Sequence, residues 1–65
     1  MIKVQINSSF PEWFQIFAFG KLIDEILGSA NALEYSKNLA RHYNIKYICF
    51  EDEVLEVDSE VDVVA

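Results

Sequence analysis

The chain has 65 residues, a formal net charge of −6, and apolar side chains at 52 % of its positions. That is one small domain with enough apolar residues for a packed core, which excludes a two-domain enzyme and a disordered polyanion. The charge is uneven: residues 1–50 carry five bases and four acids (+1), and residues 51–65 carry seven acids and no base (−7).

Ile2, Val4 and Ile6 alternate with Lys3, Gln5 and Asn7, the period-2 pattern of a strand with one buried face. Asn7-Ser8-Ser9 and Pro11 break the run. Trp13 to Phe19 is aromatic-rich and suits a second strand. Phe14, Ile16 and Ala18 fall on one face, and Trp13, Gln15, Phe17 and Phe19 on the other. Gly20-Lys21 reads as a hairpin turn, with Leu22 to Leu27 returning as a third strand up to Gly28. A helix follows, with Asn31 as its cap and Glu34 at the third helical position. Leu33, Ser36, Leu39, Ala40 and Tyr43 share one face of that helix, and Asn44 ends it in the left-handed region. Ile45 to Phe50 is a strand, Glu51-Asp52-Glu53 a polar turn, and Val54 to Val57 a last strand. The expected fold is α+β: a small, mostly antiparallel sheet in the order β-β-β-α-β-β, with one helix on one face. Residues 1–57 form the domain and residues 58–65 an acidic C-terminal extension.

The residues that usually carry chemistry do not assemble into a motif. His42 stands alone near the helix end, where it complements the helix dipole. Cys49 is the one cysteine, so an intrachain disulfide has no second half and a Cys-based zinc site lacks ligands. It reads as a small apolar residue of the core. Asp24 and Glu25 are strand neighbours and point to opposite faces. The two glycines are isolated, which leaves no phosphate loop. No enzyme, cofactor or metal is expected. A lone cysteine, the lack of a secretory leader and the lack of a 20-residue apolar run favour the cytoplasm and exclude a membrane span. A net-negative chain is a poor direct ligand for nucleic acid.

Two surfaces remain. Phe10, Trp13 and Phe17 belong to an aromatic concentration that a single-layer sheet cannot bury completely, and exposed aromatics are common interface anchors. In the tail, Glu56, Asp58, Glu60 and Asp62 alternate with Val57, Ser59, Val61 and Val63. As a strand they form a negative comb, with Glu51, Asp52 and Glu53 adding charge at its root. Its line density is about half that of one DNA strand, which spaces its charges at about 3.4 Å.

In scale, acidity and strand–strand–helix–strand order, Trp13 to Val57 resembles small phage-encoded inhibitors that dock on host enzymes. These include RNA polymerase inhibitors and anti-restriction or anti-CRISPR proteins. The likeness rests on the Phe-Gly-Lys-Leu-Ile-Asp-Glu hairpin and the helix from Ala32 to Tyr43, and it carries over no functional residue. The expected function is a non-enzymatic protein-binding module that occupies a basic surface of a larger, nucleic-acid-binding protein. The alternative is a self-assembling subunit, dimerising through its terminal strand and aromatic face.

Overall fold

The computed structural model describes residues 1–57. Five strands and one helix follow the expected order: β1 (Ile2–Ile6), β2 (Trp13–Ala18), β3 (Lys21–Leu27), α1 (Ser29–His42), β4 (Tyr47–Phe50) and β5 (Glu53–Glu56). They form an α+β fold with a single sheet in the order β3-β2-β1-β4-β5. β1 runs antiparallel to β2 and parallel to β4, while β2/β3 and β4/β5 are antiparallel hairpins. The parallel pair arises because α1 carries the chain from β3 across the sheet, so that β4 enters alongside β1. A parallel neighbour needs such a crossover.

The helix packs against one face. Ile2, Val4, Ile16 and Ile48 lie there fully buried, with Phe14 and Ala18 nearly so. On α1 the residues with no exposure are Ala32, Ser36 and Ala40, one turn apart on one face. Their small side chains let the helix backbone approach the sheet, and Leu33, Tyr35 and Leu39 pack on the flanks of this stripe. Ser36 meets its hydrogen-bonding requirement within the helix, donating from Oγ to the Leu33 carbonyl at 2.9 Å. Phe14 and Phe50 stack at 5.8 Å between ring centroids, closing the core beside β1.

Several boundaries differ from the sequence expectation. The β2–β3 turn is Phe19-Gly20, not Gly20-Lys21: Ala18 pairs with Lys21, and φ is 52° at Phe19 and 83° at Gly20. Two successive positive φ values match the twist of a two-residue hairpin. A phenylalanine in that region is strained. Its ring meets Tyr43 edge-on at 5.4 Å, so the turn tip is anchored to the helix end. Phe19 therefore does not continue the outward face of β2.

The helix begins at Ser29, and its cap is Gly28 at φ 93°, with no side-chain cap bond. The Asn31 amide instead reaches back to the Leu27 carbonyl at 3.1 Å. The reason lies in the junction: the Gly28 amide is still held by the Glu12 carbonyl at the end of the β2/β3 ladder. The chain turns into the helix at once, using the one residue that adopts this φ without cost. The helix end follows expectation. Asn44 has φ 58°, its amide bonds to the Arg41 carbonyl, and the Ile45 amide bonds to the Ala40 carbonyl at 2.8 Å. That is the Schellman pattern. Ile45 and Lys46 form the connection, so β4 starts two residues later than the alternation suggests.

The candidate protein-binding face

Among the described residues, no helix lies over the other face of the sheet. Pairing register fixes which side chains share it, because partners across a ladder point to the same side. One row crosses all five strands: Leu22, Phe17, Lys3, Cys49 and Val54 are successive register partners. Trp13 and Leu27 pair at one end of the face, and Tyr47 and Glu56 at the other. Between Trp13 and the full row lie Gln5, Gln15 and Glu25.

An antiparallel sheet with one wet face usually alternates apolar-in with polar-out. β1 obeys, presenting Lys3 and Gln5. β2 and β3 depart from the rule, presenting Trp13 and Phe17, and Leu22 and Leu27, at the outward positions. The exposed apolar side chains Trp13, Leu22, Leu27, Tyr47 and Val54 range from 40 % at Trp13 to 65 % at Val54. Phe17 is half-buried in a shallow groove with Met1, Lys3, Gln5 and Gly20.

Local chemistry holds the Trp13 end in place. Asn7 Oδ1 accepts the amides of Ser9 and Phe10 at 2.9 and 3.1 Å, and Asn7 Nδ2 donates to Glu25 at 2.7 Å. The loop closes with the Trp13 amide on the Phe10 carbonyl and the Asn7 amide on the Trp13 carbonyl. A side chain that mimics a backbone turn is the usual work of asparagine. Asn7, Phe10, Trp13 and Glu25 together line one depression. All three aromatic residues read from the sequence, Phe10, Trp13 and Phe17, thus lie on or beside this face.

The acids behave differently. Glu51 and Asp52 form the β4–β5 turn, at φ 52° and 70°. The Glu51 amide donates to the Val4 carbonyl and its carboxylate accepts the Ile6 amide. Glu51 therefore completes the hydrogen bonding of β1 beyond the end of β4. Asp52 is exposed at the tip. Glu53 pairs with Phe50 on the helix side, whereas Glu56 pairs with Tyr47 on the open face. The turn acids and Glu56 do not form one comb within the described residues, since β-strand alternation and a two-residue turn separate them. Asp58, Glu60 and Asp62 lie outside the described residues.

Asp24 and Glu25 do point to opposite faces. Glu25 is held by Asn7 on the open side, while Asp24 lies on the helix side, close enough to act on Tyr35 of α1. Burial first, and then the charge and hydrogen bond of Asp24, raise the Tyr35 phenol above the ordinary value of 10.0.

Cys49 is not a core residue. It is half-buried on the open face, between Lys3 and Val54 in register. No three His, Cys, Asp or Glu side chains converge as a metal ion would require, among the described residues. No helix among them is long and apolar enough to cross a membrane. No family model, curated protein or solved structure matches the chain.

The strand contributions of Leu22, Leu27, Tyr47 and Val54 to this face were not singled out from the sequence. Parity along each strand was available, since Tyr47 and Cys49 fall on the side opposite Ile48. What was missing was the strand order, which brings β3, β2, β1, β4 and β5 into one continuous surface. The role of Glu51 had no local signal, because its partner Ile6 is 45 positions away.

Proposed function

We propose that the protein is a non-enzymatic protein-binding module that acts in the cytoplasm. It docks through the open sheet face onto a larger protein and blocks a basic surface there. One observation carries the reading: the outward positions of β2 and β3, normally polar, hold Trp13, Phe17, Leu22 and Leu27. Aromatic anchors in a polar frame are what interface hot spots are made of. The frame here is supplied by Lys3, Gln5, Gln15, Glu25 and Glu56. The acids that follow Val57 add long-range attraction to a basic partner, which speeds encounter and weakens with salt. A nucleic-acid-binding protein is the partner class such charge suits. A phage-type inhibitor of the RNA polymerase or anti-restriction class is the kind of protein this describes.

The test separates anchor from charge. Replacing Glu56, Asp58, Glu60 and Asp62 with their amides should leave thermal unfolding unchanged and greatly reduce low-salt capture of the partner. Capture that survives the change at low salt would remove the acids from the site. A homodimer is the second reading, favoured by the all-strand row through Leu22, Phe17 and Val54 and opposed by the acids of β5. Light scattering across concentration decides it: a stable dimer at low micromolar protein would replace the partner reading.

A further inference from the structure

Among the described residues, β3 and β5 are the two edges of the sheet. An edge offers its outward amides and carbonyls to any extended strand, and a long apolar edge is the most exposed to this. β5 has four residues with an acid at each end. β3 has seven residues and no proline, and Leu22, Ile23 and Leu27 are exposed along it.

Alternation identifies the outward groups of β3. The Gly28 amide is turned toward β2, where it bonds to the Glu12 carbonyl at 2.9 Å. Leu27 and Glu25, one and three positions back, therefore turn their amides and carbonyls away from β2. Two of these outward groups are already taken. The Glu25 amide donates to Asp24 Oδ1 at 2.8 Å, and the Leu27 carbonyl accepts Asn31 Nδ2 at 3.1 Å. The helix supplies the setting. Asn31 and Tyr35 are four residues apart on one flank of α1, and Tyr35 lies beside Asp24. Asn7 Nδ2 holds the Glu25 carboxylate at 2.7 Å, so Glu25 is fixed at both its side chain and its amide.

We propose that Asp24 and Asn31 shut the free edge of β3 against strand addition, and that the strand they exclude is β3 of a second copy. An incoming strand would bring its carbonyl against the Asp24 carboxylate and its amide against the Asn31 amide, like against like. A second copy presents the same exposed Leu22, Ile23 and Leu27. Antiparallel pairing that sets Glu25 of one copy against Leu27 of the other joins the outward positions of both. It also keeps the two Glu25 carboxylates apart and closes under a two-fold axis. With the edge shut, association is left to the open face. The inference does not rest on the partner reading, since its test uses this chain alone.

The experiment compares the full-length wild type with an Asp24→Ala, Asn31→Ala double variant, by light scattering and by amide exchange in NMR. The double variant should double in mass at concentrations where the wild type does not change. When dilute, its Glu25 amide should exchange about five times faster than in the wild type, the effect of losing one hydrogen bond. When concentrated, its Glu25 and Leu27 amides should both become protected. A folded double variant that keeps the wild-type mass overturns the proposal, and so does protection that appears at Val54 of β5 instead. Asp24→Asn keeps an oxygen for the Glu25 amide and loses the charge, so it should behave as the wild type. Association of Asp24→Asn would mean that charge repulsion, not capping, closes the edge, and would overturn the proposal. The wild type provides a reading that needs no variant to fold: its Glu25 amide should exchange more slowly, relative to the intrinsic rate, than the Leu27 amide on the same edge. Equal protection of the two overturns the proposal as well.

Discussion

The two faces of the sheet are built from the same five strands and follow opposite rules. Toward the helix, every strand but β3 contributes at least one wholly or largely buried apolar residue at or beside its ladder, and the one fully buried polar side chain among the described residues, Ser36, is satisfied by its own helix. Away from the helix, apolar and polar side chains mix, and Trp13, Leu22, Leu27, Tyr47 and Val54 stay 40–65 % exposed while Phe17 is half-buried. The first face is a solved packing problem. The second carries large side chains that contribute little to folding while they remain wet, and the proposed docking rests on them. The contrast is sharpest within β2, where Ile16 is fully buried and its neighbour Phe17 looks outward.

Breaking the dry face should have the largest effect. Ile48→Ala removes a fully buried side chain at the β1/β4 junction, and such truncations cost about 2–5 kcal/mol. A domain of this size has only about 3–10 kcal/mol to lose, so chemical denaturation should show a variant near or past its midpoint in water. Glu51→Ala comes next. It takes the acceptor away from the Ile6 amide, and losing such a bond costs roughly 1–2 kcal/mol. The denaturation midpoint should fall accordingly, and hydrogen exchange at Ile6 should quicken more than at Val4. Trp13→Ser and Leu22→Ser, on the wet face, should change stability by less than about 1 kcal/mol, the usual range for surface positions. A loss as large as that of Ile48→Ala would mean the open face is part of the core.

The smallest effect is read by pH. Tyr35 has its phenol pKa raised by burial and by Asp24. The folded state therefore holds the proton more tightly than the unfolded chain. The resulting stability is fully present below the unfolded tyrosine value and is lost as pH climbs through the folded one. Phenolate absorbance should show one tyrosine titrating late, and Asp24→Asn should bring it back toward the ordinary value without reaching it, because burial persists. Coincident titration of all three tyrosines would remove the Asp24–Tyr35 contact from the account.

What the sequence made legible follows the range of each interaction. The period-2 runs in Ile2–Ile6 and Phe14–Ala18 sorted the side chains onto two faces, because alternation is a local signal, but which face of β2 is dry emerges only with the helix in place. Asn44 identified the helix end for the same reason. The helix start was misread, since Asn31 is a good cap by type while the Gly28 amide is committed to Glu12 across the sheet. Cys49 was misplaced because an apolar strand residue carries no mark of which face will be covered. Phe10, Trp13 and Phe17 could be named as hard to bury, but their neighbours Leu22, Leu27 and Val54 emerge only when strand order is known. The acids were visible as a block. Their division among a turn, the two faces and the segment after Val57 was not, because a count of charge has no direction.

The central claim is that the wet face binds and the dry face folds. The most direct measurement is partner capture from native-host lysate with the wild-type chain and with a Trp13→Ala, Phe17→Ala double variant, at matched low salt and after both are shown to unfold alike. The account predicts that the double variant keeps its fold and loses the partner that the wild type retains. A double variant that folds and still retains the partner as well as the wild type would contradict it.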